Sequence, residues 1–295
     1  MDKLVVGIPR SIFYYYNGIF WNNFFYKLNV KTVLSPKTNK EIVELGTLNS
    51  PDEMCLSMKI YIGHIKYLED KVDYILIPRI DRFDDYNQTC TNFLGIYQYA
   101  VHFTKAKILN YNIDNNNDLK DGAVKIGEML NLDKKSVLEA YKYAYKRNEE
   151  YFKNKQKEQE EKMRSKNKKV LIVSHAYNIH DEFLGGSLLN ILKDNNIDVL
   201  YSNYFDSKKT NKLALKISSS LYWKYSRDAI GSIELTPNID GIIFFSTFPC
   251  GLDSLVNELV IRKIHKPCLN LIIDDSTSVA GLETRIESFV DLIEN

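Results

Sequence analysis

Short apolar runs rich in β-branched residues recur along this chain in two groups of four, and each group alternates with helix-like spacing. The first group is Leu4–Ile8, Val30–Leu34, Asp73–Pro78 and Lys107–Tyr111. The second is Val170–Val173, Ile197–Tyr201, Gly241–Phe245 and Leu269–Ile273. Runs this short, mostly apolar and bounded by turn residues, read as strands buried on both faces. Strands that alternate with helices build parallel sheets wrapped by crossover helices. The helical stretches of the first group are Gly18–Leu28, a short helix to Leu45 capped by Thr38 or Asn39, Ser50–Tyr67, Phe93–Val101 and Asp121–Leu130. Those of the second are Phe183–Lys193, Leu213–Gly231, Ser254–Lys263 and Leu282–Ile293. For the helix at Ser50, the start signal is Ser50-Pro51-Asp52-Glu53. The stretch Arg79–Thr89 reads as a polar loop.

Between the groups, Lys134 to about Lys166 carries one long helical pattern of alternating charge. Its latter part, Asn148–Lys168, is almost wholly polar, as in a solvated connecting helix. The fold expected is α/β: two Rossmann-like (flavodoxin-like) parallel-sheet domains, 1–145 and 169–295, joined by helix 146–168. The ligand site is expected in the cleft between them.

A chain of 295 residues with 44% hydrophobic and 26% charged content has material for two buried cores. The net charge of +1 gives no reason to expect nucleic acid or an anionic membrane as partner. No apolar stretch reaches transmembrane length and no signal-peptide pattern is present. The expected location is the cytoplasm, where disulfides are rare. The four cysteines are then free thiols or metal ligands, and the lack of a C-x-x-C pair speaks against a zinc ribbon.

Three cysteines share a setting. Cys250, in Phe248-Pro249-Cys250-Gly251-Leu252-Asp253-Ser254, sits between a strand and a helix. Such a loop lies at the carboxyl end of the strand, where parallel sheets bind ligands. The start of a helix favours a thiolate there. Cys90 follows the third strand of the first group just before a helix, and Cys55 adjoins the helix start near Pro51. Cys268 begins a strand, about 20 Å from the crevice end at roughly 3.3 Å per residue, and is left out. Soft thiolates without a histidine or carboxylate array favour an iron–sulfur cluster or zinc over hard cations. At any one position a small buried hydrophobe is the competing reading.

Other side chains face the same end. His175 opens the loop His175-Ala176-Tyr177-Asn178 as a proton donor, as a hydrogen-bond partner to a metal-bound species, or as a structural histidine. Glu53 is a candidate general acid or simply meets the helix dipole. Asp253 and Ser254 read as helix caps, and Arg10 with Tyr14–Tyr16 as cleft lining or aromatic core. The charged run Lys146–Lys169 is a solvated face or a docking face for a partner.

The chain resembles the 2-hydroxyacyl-CoA dehydratase superfamily, and within it the small acyl-CoA dehydratase activase-related proteins close to the double-cubane-cluster reductases. The resemblance rests on Gly7-Ile8-Pro9-Arg10, Leu34-Ser35-Pro36-Lys37-Thr38-Asn39, Asp52-Glu53-Met54-Cys55-Leu56, Val72 to Arg79 and His175-Ala176-Tyr177-Asn178-Ile179. It continues through Leu221-Tyr222-Trp223, Cys250-Gly251-Leu252-Asp253-Ser254-Leu255-Val256, and Asn270 to Phe289 with Gly281-Leu282-Glu283-Thr284-Arg285. Departures are Leu56-Ser57-Met58-Lys59 where the family often has Leu-Pro-Val-Lys, Thr91-Asn92 for Pro-Lys, and Leu252 for proline.

The resemblance implies a [4Fe–4S] cluster, or a larger iron–sulfur assembly, held by Cys55, Cys90 and Cys250 with one iron open to a small molecule. It implies an ATP-hydrolysing activator iron–sulfur protein as electron donor, anaerobic metabolism, and a homodimer or a heterodimer with a related subunit. The competing expectation is a non-redox two-domain protein that binds a small metabolite or regulates, its cysteines incidental or zinc-binding.

Overall fold

The protein is described by a computed structural model covering residues 4–85, 87–219, 221–275 and 279–294. It divides into two compact units, Met1–Tyr151 and Phe152–Asn295. In the first, the strands β1 (Val5–Ile8) and β2 (Lys31–Leu34) are separated by α1 (Tyr14–Lys27). Helices α2 (Lys40–Leu48) and α3 (Leu56–Leu68) lead to β3 (Tyr74–Leu76). Short strands β4 (Arg79–Ile80), β5 (Arg82–Asp84) and β6 (Asn87–Gln88) precede α4 (Thr91–Phe103), β7 (Lys107–Leu109), β8 (Asn112–Ile113) and α5 (Leu119–Met129). The division between units falls within α6 (Lys134–Met163).

The second unit runs β9 (Lys169–Ser174), α7 (Ala176–Ile179), α8 (Glu182–Asp194), β10 (Asp198–Tyr201), α9 (Ser207–Ile217), α10 (Lys224–Gly231), β11 (Gly241–Thr247), α11 (Gly251–Ile261), β12 (Cys268–Ile273) and α12 (Val279–Glu294). The main sheets are wholly parallel, ordered β2-β1-β3-β7 and β10-β9-β11-β12. Each unit therefore repeats the order second, first, third, fourth, and the α/β class with parallel sheets stands. Register puts Val6 between Thr32 and Tyr74, and Ile172 between Tyr201 and Ile243. β11 is buried along its whole length, as a central parallel strand must be. Among the described residues no helix is long and apolar enough to cross a membrane.

Four local expectations change. The helix expected from Ser50 begins at Leu56 instead. Ser50 Oγ donates to the Gly46 carbonyl at 2.6 Å and so closes the end of α2, while Met54 N–H donates to Pro51 O at 3.1 Å and makes residues 51–54 a turn. A serine hydroxyl spent on the preceding helix cannot cap the next one. The stretch Leu213–Gly231 is two helices, because the chain leaves α9 at Ser218, whose backbone is extended. The polar loop Arg79–Thr89 carries a short parallel ladder (β4 with β8) and a short antiparallel one (β5 with β6). The fourth concerns α6: Gln159, in the part read as solvated, is only 4% exposed.

Helices α2 and α3 cross at two glycines. A Cβ on Gly46 would overlap the Lys59 carbonyl, and one on Gly63 would overlap the Ile42 carbonyl. Only hydrogen at both positions lets the backbones approach this closely. The crossing also sets where α3, and so Cys55 at its start, can lie. Gly63→Ala is therefore expected to destabilise the first unit by about 1–3 kcal/mol, read as a lower urea midpoint with an unchanged slope.

Candidate functional site

The residues singled out above fall on both units, and each unit builds its part locally. In the first, Cys55 is the N-cap of α3 (φ −63°, ψ 147°) and Cys90 the N-cap of α4 (φ −73°, ψ 161°). Extended backbone followed at once by helix puts each cysteine at the start of a first turn whose N–H groups have no partner within the helix, although neither side chain caps that turn by a hydrogen bond. The two caps are neighbours. Asn92, two residues after Cys90, directs its amide nitrogen at Cys55 Sγ at 3.7 Å. Phe13, in the loop after β1, packs on Tyr61 of α3 (centroids 5.8 Å apart) and on Phe93 of α4 (5.1 Å), joining both helices to the carboxyl end of the sheet.

The same loop holds Ile12 at φ 37°, a conformation that strains a β-branched residue and that burial enforces here. Arg10 N–H donates to Ser35 Oγ at 2.7 Å. His64 is fully buried, with Nε2 3.1 Å from Thr38 Oγ1. Burial, and then the positive charge of Arg10, hold the His64 imidazole down to about 3. His64 is thus a neutral structural group. Glu53 sits exposed on the turn before Cys55.

In the second unit Cys250 is the N-cap of α11 (φ −84°, ψ 93°), and its own sulfur accepts from Asp253 N–H at 3.4 Å. The preceding Phe248–Pro249 peptide is cis. Asp253 and Ser254 were expected to cap this helix; the sulfur does so instead. That leaves the Asp253 carboxylate 3.0 Å from His175 Nε2. A carboxylate only accepts, so Nε2 carries the hydrogen. His175 stacks on Tyr177 (4.9 Å, planes 7° apart) and meets the edge of Tyr225 at 6.1 Å. His175 and Cys250 end the loops after β9 and β11, neighbouring strands whose connections leave in opposite directions along the sheet. That is the switch point where open α/β sheets bind ligands.

Cys268 is also a half-buried free thiol, but its place in the fold differs. It starts β12, its thiol donates to Lys266 O at 3.0 Å, and burial pushes it up to about 11. Two residues were not singled out as site groups by sequence: Asn92, and Asp253 as the partner of His175. The spacing Cys-x-Asn and Cys-x-x-Asp was visible, but its meaning depends on which loops the sheet brings together. Among the described residues no group of three or more His, Cys, Asp or Glu side chains is arranged to hold a metal ion.

The donor chemistry itself suits an iron–sulfur group. Cys55, Cys90 and Cys250 are half-buried thiols outside any disulfide, and two of their sulfurs receive N–H donors of the kind that stabilise thiolate charge.

Residues 5–205, more than half of the chain, match the family described as "CoA enzyme activase uncharacterised domain". Cys55, Cys90 and His175 lie inside the matched range and Cys250 beyond it. No curated protein matches. Among solved structures, the AdcAII protein of Streptococcus pneumoniae matches at 11% identity over 100% of this chain and 99% of that one, with a TM-score of 0.32. The SBP FpvC in complex with Ni2+ from P. aeruginosa matches at 9% identity over 99% and 96%, with a TM-score of 0.31. The periplasmic zinc binding protein TroA from Treponema pallidum matches at 11% identity over 99% and 99%, also with a TM-score of 0.31. Similarity at this level carries no argument about what this chain binds.

Two outcomes follow from the titrating groups. His64 in the first unit is held down to about 3 and His180 in the second to about 4, both chiefly by burial, against the usual 6.5. Below 6.5 the unfolded chain takes up protons that the folded one refuses, so stability is present above that pH and lost as pH falls. Each histidine is expected to cost its unit about 1.4 kcal/mol per pH unit between pH 6 and 4. Urea titrations at several pH values check this, and His64→Gln should flatten the slope of the first unit. At pH 8 Cys268 is expected to react with iodoacetamide more than about tenfold slower than a free thiol, as read by peptide mass spectrometry.

Proposed function

This chain belongs to the CoA enzyme activase uncharacterised domain family, and from that premise we propose an iron–sulfur redox protein with Cys55, Cys90 and Cys250 as its thiolate ligands. The reading aligns it with the 2-hydroxyacyl-CoA dehydratase superfamily and its double-cubane-like members. One observation carries it: three of the four cysteines, and only those three, are helix N-caps with extended backbone. Bound by three thiolates, a [4Fe–4S]-type cluster supplies a low-potential electron and an iron open to a small molecule.

The chain's own residues supply the rest. Asn92 and the Asp253 N–H hold negative charge on sulfur. Asp253 and the Tyr177 ring fix the orientation of His175, which keeps a proton on Nε2 at the same end of the sheet as Cys250. His175 is the proton carrier in this reading. Glu53, exposed on its turn, has no comparable environment. An activator protein as partner is in keeping with the family description; that it hydrolyses ATP and donates the electron comes from the resemblance to the dehydratase superfamily.

The test is metal and sulfide analysis of protein purified without oxygen. The expected result is a brown protein with about four irons per cluster. Cys55→Ser, Cys90→Ser and Cys250→Ser should each lower the iron content, and Cys268→Ser should not. Iron-free protein, stoichiometric zinc, or an iron content indifferent to Cys250 would overturn the assignment in favour of a non-redox binding protein.

A further inference from the structure

A cavity of about 240 Å3 in the second unit lies apart from Cys250, on the far edge of the sheet. It is lined by Lys155, Glu158, Gln159 and Lys162 of α6, Val199 and Tyr201 of β10, and His180 with Tyr204. β10 is an edge strand, so one row of its backbone groups has no neighbouring strand. Side chains of α6 stand in for that strand. Gln159 Oε1 accepts from Tyr201 N–H at 2.7 Å, and Lys162 Nζ donates to Val199 O at 3.3 Å.

The first bond fixes the amide. An atom that accepts from a backbone N–H is the oxygen, so the nitrogen of Gln159 and its two hydrogens turn the other way. Gln159 is 4% exposed, and no described residue accepts from that nitrogen. Its hydrogens face the cavity, where water or an oxygen of a ligand can accept them. Two ammonium groups accompany it: Lys155, paired with Glu158 at 2.6 Å, and Lys162, 5.9 Å from the Tyr201 ring centre. The remaining wall is aromatic. His180 lies 5.2 Å from Tyr204 with planes 25° apart and 4.9 Å from Tyr201. Burial holds His180 down to about 4, so near neutral pH it presents an uncharged ring.

We propose that this cavity binds a small planar oxyanion of the aromatic carboxylate class. The carboxylate accepts from Gln159 Nε2 and from the lysine ammonium groups, as charge-assisted hydrogen bonds require. The ring lies along Tyr201, Tyr204 and His180, where aromatic faces prefer an aromatic partner. The proposal uses none of the cysteines and stands whether or not the chain carries iron.

Titration calorimetry on the full chain tests it, with benzoate, cyclohexanecarboxylate and inorganic phosphate as probes. Benzoate is expected to bind saturably, one per chain, with cyclohexanecarboxylate about threefold weaker or worse and phosphate weaker still. Gln159→Glu keeps an oxygen for Tyr201 N–H but replaces the free donors with negative charge. It should weaken benzoate by about tenfold or more in protein that still melts cooperatively. Lys155→Met, at a partly exposed position, should weaken it by a few-fold without touching the strand edge. The proposal is overturned if benzoate gives no saturable heat, if Lys155→Met binds it as the parent does, or if a folded Gln159→Glu variant does so. Phosphate binding as tightly as benzoate would overturn the assignment of a planar ligand.

Discussion

Parallel pairing is the constraint from which the rest of this structure descends. A parallel strand cannot be joined to its neighbour by a tight turn, so each connection crosses over the sheet through a helix. A helix that follows a strand directly then starts at the carboxyl end of the sheet, and its unpaired N–H groups gather there. In both units the strand order is second, first, third, fourth, so the chain reverses direction between the first and third strands. In the second unit that pair is β9 and β11. Ser174 lies opposite Phe245, and its hydroxyl donates to the Phe245 carbonyl at 2.7 Å. The loops carrying His175 and Cys250 leave from that point, and the bond between His175 and Asp253 spans them.

The first unit reaches a similar arrangement at visible cost. A fully buried histidine must stay uncharged, a β-branched residue is held at positive φ, and two helices cross with no room for a methyl group. All three lie around the segments that place Cys55: the loop after β1 and the helices α2 and α3. Strain and buried polarity concentrated at the carboxyl end of a sheet fit a region shaped for binding as well as for folding.

The outer edge of the second sheet follows another logic. An unpaired edge invites association, and here the polar half of α6 covers it with a glutamine and a lysine. A helix read as solvated along its length thereby acquires one buried face. The same covering leaves a cavity whose chemistry differs from that of the cysteine loops.

The amino-acid sequence by itself determined the eight main strands, the α/β class, the long helix after Lys134 and the placement of Cys55, Cys90 and Cys250 near helix starts, because hydrophobic period and turn residues act locally. Where a local signal had two outlets, neighbours in space decided. Ser50 closed the helix behind it, Asp253 turned from capping to His175, Gln159 was buried by an edge strand 42 positions on, and Asn92 was brought to Cys55. A side-chain hydrogen bond goes to whichever partner the fold delivers within about 3 Å, and spacing along the chain does not encode that distance.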